Sequence, residues 1–143
     1  MLGVKPYITF AGNCREAIDF YKEALGAEEL FSQTFGESPM PDMGSPDGIM
    51  HATVKVGDSH IMMCDDPRGG AASSPSNISL AIGLDDAEKA KDLFNNLSDG
   101  GNVTMPLDKT FWAEAFGMCT DKFGINWMVN CEKAGADQQQ AAA

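Results

Sequence analysis

Hydrophobic and polar positions form two series of short segments, one on each side of residues 67–76. The first series has the alternation and the β-branched and aromatic content of strands at residues 6–11, 30–35, 50–56 and 59–64. After the first strand, apolar residues instead recur at helical spacing, which predicts a helix capped by Asn13 and Glu16 and ended by Gly26. The order predicted is strand, helix and three strands.

The second series repeats this order. A helix capped by Asp85 and Glu88 and ended by Gly100 is predicted after its first strand. Its strands are predicted at residues 77–83, 102–105, 115–120 and 125–131. A shift of 72 residues places Asn13, Glu16, Tyr21 and Leu25 on Asp85, Glu88, Leu93 and Leu97. This regularity indicates an internal duplication.

Turn chemistry predicts which side chains share a face in each closing hairpin. Gly57 and Asp58 suit a two-residue turn of type II′, which pairs Val56 with Ser59. The apolar face of that hairpin then holds Ala52, Val54, Ile61 and Met63, and the mixed face holds His51, Thr53, Lys55, His60, Met62 and Cys64. In the last hairpin a turn at residues 121–124 puts Phe116, Met118, Trp127 and Val129 on the apolar face and Ala115, Gly117, Cys119, Asn126, Met128 and Asn130 on the other.

Segments rich in Pro and Gly predict the domain organisation. We assign residues 1–66 to the first module, 67–76 to a linker rich in Pro and Gly, 77–133 to the second module, and 134–143 to a mobile tail without apolar periodicity, all within one structural domain. Residues 36–48 carry three prolines among glycines and predict an irregular loop, a lid or a spacer.

Charge and composition exclude several partners. The formal net charge is −11, with 10 Lys and Arg residues spread along 143 positions, so we expect no nucleic acid and no anionic membrane surface as a partner. The sequence has neither an apolar run long enough to span a bilayer nor a secretory signal pattern, which favours the cytoplasm. Cys14, Cys64, Cys119 and Cys131 have no close C-x-x-C spacing, and free thiols are expected.

Several motifs resemble the vicinal oxygen chelate superfamily, which includes glyoxalase I, extradiol dioxygenases and bleomycin-resistance proteins, and its PhnB-like branch in particular. The similar segments are residues 6–10, 12–17, 20–22, 50–52, 57–58, 110–112, 116–118 and 120–124, within a match over residues 4–133. The resemblance implies an α+β fold: two tandem βαβββ modules forming a cupped mixed β-sheet with helices on the outside. It also implies a homodimer, in some relatives with halves exchanged between subunits.

The resemblance also implies where a metal would lie. Metal-dependent relatives place their ligands at four strand positions, which correspond here to Tyr7, Met62, Asn77 and Met128. None of these is His, Asp or Glu, and thioethers and amides are poor ligands for hard or borderline divalent ions. We therefore expect no metal site and no cofactor. Gly69 does not lie between a strand and a helix start, as a nucleotide-binding loop requires.

The mixed faces carry the candidate chemistry. We assign ligand binding to Tyr7, Thr9, Thr53, Met62, Cys64, Asn77, Ser79, Trp112, Cys119, Met128 and Asn130. Met40 and Met43 from the loop would add apolar walls. Trp112 and Phe111 would either cover the mouth of the cavity or pack at a dimer contact. His51 is the candidate general base, although a half-buried strand histidine more often only hydrogen-bonds to a neighbour.

Two functions remain open. The first is metal-independent binding of an unidentified small molecule in the cavity of the sheet. The alternative is a small-molecule isomerase or lyase that uses His51 as general base, with or without a metal on non-standard ligands. Exchanging His51 for Gln distinguishes them, because ligand affinity survives under the first and turnover is lost under the second.

Overall fold

The computed structural model describes residues 2–69 and 76–132. The chain divides into two compact units, Met1–Ser73 and Ser74–Ala143, and this division lies inside the predicted linker. Part of that linker and the predicted tail at 134–143 lie outside the described residues.

The first unit is one four-stranded sheet with one helix. Its elements are β1 (Tyr7–Phe10), α1 (Cys14–Leu25), β2 (Glu28–Thr34), β3 (Ile49–Val56) and β4 (Ser59–Asp65). The strands lie in the order β1-β4-β3-β2, with β1 parallel to β4 and the other neighbours antiparallel.

The second unit has the same topology. Its elements are β5 (Leu80–Leu84), α2 (Ala87–Ser98), β6 (Asn102–Asp108), β7 (Ala113–Thr120) and β8 (Asn126–Glu132). The order β5-β8-β7-β6 again has one parallel pair, β5 with β8. The predicted α+β class with two βαβββ modules is confirmed.

Each helix buries one stripe on its own sheet. The buried residues are Cys14, Ala17, Ile18, Tyr21 and Ala24 in α1, and Ala90, Phe94 and Leu97 in α2. The two stripes coincide under a shift of 73 residues, not 72. This shift places Ala17, Tyr21 and Ala24 on Ala90, Phe94 and Leu97. The predicted shift was wrong by one position, and Phe94, not Leu93, is the counterpart of Tyr21.

The helix caps differ from prediction. Asn13 precedes α1, but within the described residues its side chain makes no capping hydrogen bond. The backbone N–H of Cys14 instead donates to Oδ1 of Asp65, which lies 51 positions later at the end of β4. The cap of α2 is Asp86, not Asp85, and its Oδ1 accepts from the N–H groups of Glu88 and Lys89.

The register of the first hairpin is confirmed. Val56 pairs with Ser59, Val54 with Ile61 and Ala52 with Met63. Gly57, the first central residue of the turn, has φ 56°. Asp58 follows it and, like every other described non-glycine residue, has no positive φ. A type II′ turn requires this combination.

The register predicted for the last hairpin was wrong. Thr120 pairs with Asn126 through a five-residue connection, because the N–H of Asp121 donates to the carbonyl of Ile125 and Oδ1 of Asp121 accepts from the N–H groups of Phe123 and Ile125. One extra residue in a turn moves every side chain of a strand to the opposite face. Phe116 and Met118 therefore lie on the face of Met128 and Asn130, and Gly117 and Cys119 lie on the buried face.

Close approach of α2 explains a glycine on that buried face. A Cβ at Gly117 would lie 2.8 Å from Cε1 of Phe94 and 2.8 Å from Cα of Leu107. Only a residue without a side chain fits between the sheet and the helix at this point.

The loop at residues 36–48 folds onto the buried Phe35. The N–H of Phe35 donates to the carbonyl of Gly48, and the N–H of Gly36 donates to the carbonyl of Pro46. A short 3-10 turn, Pro41–Met43, lies within it. Met40 and Met43 remain about half exposed.

Among the described helices, none combines the length and the apolar character needed to cross a bilayer.

Candidate functional site

One face of each sheet carries no helix of its own unit, and we call these faces the open faces. On the first open face, the register aligns Tyr7 with Met62 and Thr9 with Cys64, and it places Thr53 on the other side of Met62. Alternation along β3 adds His51 to the same face. The structure thus brings together six residues predicted from the sequence: Tyr7, Thr9, His51, Thr53, Met62 and Cys64.

Hydrogen bonds fix the imidazole of His51 within this face. Its Nδ1 lies 3.1 Å from the hydroxyl of Tyr7, and its Nε2 lies 3.4 Å from Oγ1 of Thr53. A neutral imidazole has one donor and one acceptor nitrogen, and both hydroxyls are able to take either role. The Phe31 ring lies 6.0 Å from the His51 ring, at an angle of 43°. The imidazole is therefore oriented from three sides.

The phenol of Tyr7 is held neutral. Partial burial is the main reason that the pKa of Tyr7 rises above its ordinary value, and Cys64 raises it further. Half of the Tyr7 side chain remains exposed, at 50%, so a ligand has access to it. Beside it, Oγ1 of Thr9 lies 3.6 Å from Sγ of Cys64. Hydroxyl and thiol groups therefore supply hydrogen-bond donors and acceptors on this face.

The second open face is more apolar. Ala81 pairs with Met128 and Gly83 with Asn130 on the β5 side, and Met118 and Phe116 flank the same residues on the β7 side. The Trp112 ring meets the Phe116 ring edge to face, with centroids 5.4 Å apart. Phe111, also in contact with Trp112, is 87% exposed.

Three predicted residues are placed otherwise. Cys119 is only 1% exposed on the helix side of its sheet, where burial, followed by the Asp121 carboxylate, raises the pKa of its thiol to about 11. It is not on the open face, because the register of its hairpin differs from the predicted one. Asn77 is exposed and Ser79 half-buried, and both precede β5, whose first residue is Leu80 rather than Asn77.

Phe31, Phe116 and Met118 were missed by sequence reasoning. All three lie on the open faces through their cross-strand partners Thr53, Asn130 and Met128. Apolar residues of this kind are assigned to the core by composition alone, and only the correct register shows otherwise.

A cavity of about 400 Å³ lies elsewhere in the first unit, between the 36–48 loop and the residues that follow β4. Its walls include Asp47, Asp65, Asp66 and Arg68, and the Arg68 guanidinium lies 3.8 Å from the carboxylate of Asp66. Three aspartates beside one arginine disfavour an anionic ligand. The cavity shares no lining residue with the open face, and we do not assign the ligand site to it.

Comparison with known proteins identifies the family. The sequence model of the Glyoxalase/Bleomycin resistance protein/Dioxygenase superfamily matches residues 3–129. The chain belongs to this superfamily.

Individual known proteins are similar over nearly the whole chain. Protein YjdN of Escherichia coli (strain K12) is 41% identical over 141 residues, covering 91% of this chain and 95% of that protein. The crystal structure of protein PA1353 from Pseudomonas aeruginosa has 43% identity and a TM-score of 0.83, covering 92% and 98% of the two chains. The PhnB protein from Bacillus cereus shares the fold at 21% identity, with a TM-score of 0.79 and 91% and 99% covered. The resemblance to the superfamily that was predicted from the sequence is confirmed.

The residues at the usual metal position of this superfamily show whether a divalent ion would fit there. In the first unit, Tyr7 and Met62, two of the four positions expected from the resemblance, are strand partners. In the second unit, the strand partner of Met128 is Ala81, so Asn77 does not take the place expected of it. Neither pair by itself, a phenol with a thioether in the first unit or a thioether with a methyl group in the second, fits a divalent ion. Across residues 2–69 and 76–132, moreover, no three His, Cys, Asp or Glu side chains are grouped for metal binding.

Proposed function

We propose that this protein binds a small, neutral or weakly polar molecule on the open face of its first unit without using a metal ion. The observation that carries the proposal is the hydrogen-bonded group of Tyr7, His51 and Thr53. These polar side chains lie on a sheet face that the unit's own helix leaves uncovered, and they point to a ligand that exchanges hydrogen bonds with hydroxyls and an imidazole.

The surrounding side chains support this choice of ligand. Met62 and Phe31 provide adaptable apolar contact beside the polar group. A molecule with an aromatic ring and one hydroxyl would match both parts. A strongly anionic ligand is disfavoured by the net charge of −11.

The test is a titration with 3-hydroxyacetophenone, followed by two-dimensional NMR, with 3-methoxyacetophenone as the ligand that lacks the donor. We expect shifts in the amides of β1, β3 and β4 and weaker binding of the methoxy compound. The Thr53→Val variant should lose about three- to tenfold in affinity, which corresponds to one lost hydrogen bond. Thr104→Val, on exposed β6, should not change it. Equal binding of both compounds would refute the assignment of this face.

Metal independence is tested separately. Purified protein should contain less than stoichiometric zinc, nickel, manganese or iron, and these ions should not raise its melting temperature, because an ion held by the native state stabilises it. A stoichiometric metal, or a rise that depends on ion concentration, would overturn this part of the proposal.

The Tyr7 and His51 pair also favours a second candidate, an isomerase or lyase. A neutral phenol at 3.1 Å from Nδ1 would orient the imidazole as a general base and supply a proton donor beside it. In D₂O such an enzyme would accelerate deuterium exchange at the methyl group of 3-hydroxyacetophenone, and His51→Gln would abolish this. Under the binding proposal, exchange stays at the rate given by free imidazole, and His51→Gln retains ligand affinity within a few fold.

We further propose that the protein is a cytoplasmic homodimer. All four cysteines lie within the described residues and are free thiols, which suits a reducing compartment. Membership of the superfamily is the support for the dimer. Light scattering coupled to size-exclusion chromatography should give twice the mass of 15.3 kDa, and a monomer mass over the working concentration range would exclude it.

A further inference from the structure

The duplication provides an internal reference for the two open faces. Aligning the last pair of each parallel ladder, Phe10 with Asp65 and Leu84 with Cys131, makes the neighbouring pairs equivalent. Thr9 beside Cys64 then corresponds to Gly83 beside Asn130, and Tyr7 beside Met62 corresponds to Ala81 beside Met128. The second unit therefore has a hydrogen atom and a methyl group where the first has two hydroxyl-bearing side chains.

The polar groups are also paired differently. On the first open face, Tyr7, His51 and Thr53 bond to one another, and Thr9 contacts Cys64. On the second, Oδ1 of Asn130 is buried and has no hydrogen-bond partner among residues 2–69 and 76–132. Leaving a buried acceptor unpaired is costly, and each such group calls for a native partner.

Space for that partner lies next to Asn130. Apart from Gly83 itself and its two chain neighbours, no atom of the described residues lies within 4 Å of the position that a Cβ on Gly83 would occupy. The terminal torsion of an asparagine is broad, so rotation of the amide is able to bring Oδ1 toward this space. Phe116 on the other flank and Met128 along the strand form apolar walls, which suit a flat ring.

We propose that the second open face binds a flat, largely apolar ring that lies over Gly83 and donates one N–H to Oδ1 of Asn130. Indole-like and similar heteroaromatic compounds have this chemistry. The inference rests on the proposed function in taking the open sheet faces as ligand sites, and it adds the class of ligand that the second unit accepts.

The experiment compares indole with indene by two-dimensional NMR of the full chain. The two ligands have the same shape, and only indole carries the N–H. Indole should shift the amides of β5 and β8 and bind roughly fivefold or more tightly than indene. Equal affinities, or no shifts in β5 and β8, would overturn the proposal.

Variants separate the hydrogen bond from the space. Asn130→Leu should lose the preference for indole while still binding indene, and Asn130→Asp, which keeps an acceptor, should retain the preference. Gly83→Val should weaken both ligands at least about tenfold, because it fills the space, and it should still fold, because the position is an open strand site with room for the side chain. Asn96→Leu, on the exposed side of α2, is the matched control and should change neither affinity.

The outcomes distinguish this inference from the proposed function. If 3-hydroxyacetophenone binds the first unit while indole fails the tests above, only the inference is wrong. If neither compound shifts any open-face amide, both proposals are wrong. If Asn96→Leu reduces the indole preference as much as Asn130→Leu does, the hydrogen bond is not to Asn130 and the inference fails.

Discussion

At the scale of single residues, Asp65 joins three elements of the first unit. It is 4% exposed, its Oδ1 accepts from the N–H of Cys14 at the start of α1, and its Oδ2 accepts from the N–H of Ile49 at the start of β3, each at 2.9 Å. The positive end of the helix dipole lies at the same place. A carboxylate on β4 therefore performs the capping that Asn13 was predicted to perform.

In the second unit, the start of the helix is capped by a residue next to it in the sequence. Cys131 occupies the place of Asp65, and Asp86 caps α2 with its own side chain. Each helix thus has one acidic cap, taken from a distant strand in one unit and from the residue before the helix in the other.

These caps give a graded prediction for stability. Asp65→Ala should lower the free energy of unfolding by about 2–4 kcal/mol, because it leaves two buried N–H groups without an acceptor. Asp86→Ala should cost about 1 kcal/mol, as for an exposed cap. Asn13→Ala should stay within about 0.5 kcal/mol, since its side chain makes no capping bond in the described structure. Urea unfolding at neutral pH measures all three, and a cost for Asn13→Ala equal to that for Asp65→Ala would contradict this assignment.

At the scale of elements, local patterns predicted what depends on local chemistry. Helical spacing gave both helices, and the turn at Gly57 and Asp58 fixed the register of β3 and β4, because a two-residue loop leaves no freedom in pairing. That register correctly put His51 and Thr53 with Met62 on one face.

The last hairpin shows why the remainder was not predictable. Asp121 is 3% exposed, and besides holding its turn it accepts at Oδ2 from Nε1 of Trp127. A four-residue and a five-residue connection are both compatible with the sequence, and these side-chain bonds select the longer one. The correct positions of Phe116 and Cys119 depend on that choice, and so does the recognition of the second open face.

The cap by Asp65 was hidden for a different reason. Its partners, Cys14 and Ile49, lie 51 and 16 positions away, and an acidic residue at the end of a strand has no local signature of such a role. The same applies to the bond between Tyr7 and His51, 44 positions apart, although both residues were predicted to share the face.

An ion-pair cluster connects α1 to β2 and predicts a pH dependence. Arg15 donates to both carboxylate oxygens of Glu29, at 2.8 and 3.1 Å, and Nζ of Lys22 lies 2.8 Å from Oε1. The hydrogen bonds from Arg15, with help from Lys22 and Ser32, hold the pKa of Glu29 well below its ordinary value. Because the native pKa is lowered, this contribution is complete above the ordinary carboxyl pKa of about 4.3 and is lost as the pH falls below it.

Glu29→Gln should therefore destabilise the protein by about 1 kcal/mol at pH 7, a modest value because Arg15 and Lys22 are partly exposed. The difference from wild type should shrink as the pH is lowered below about 4. Glu28→Gln, an exposed neighbour on the same strand, is the control and should have little effect at either pH. A difference for Glu29→Gln that stays constant down to pH 3 would exclude the assigned pKa direction.

At the scale of the whole molecule, the duplicated topology and the divergent open faces are separate facts. The two units share strand order, parallel pair and helix position. On one open face the polar side chains hydrogen-bond to one another, whereas on the other Oδ1 of Asn130 has no partner within residues 2–69 and 76–132. Packing against a helix constrains the buried side of each copy, whereas the uncovered side is free to carry different chemistry.

Net charge is the property of the whole chain that yields the last prediction. With 21 acidic and 10 basic residues, the charge of −11 destabilises the compact state by self-repulsion, while the cluster at Glu29 is a local attraction that salt also weakens. Self-repulsion sums over the whole surface, so it should dominate, and the melting temperature should rise between about 20 and 200 mM NaCl, as the Debye length falls to less than about 10 Å. Asp92→Lys and Lys91→Glu, both exposed on α2, change the net charge by about +2 and −2. The first should reduce the rise and the second should increase it, whereas a melting temperature that falls with salt would mean that local ion pairs outweigh the global repulsion.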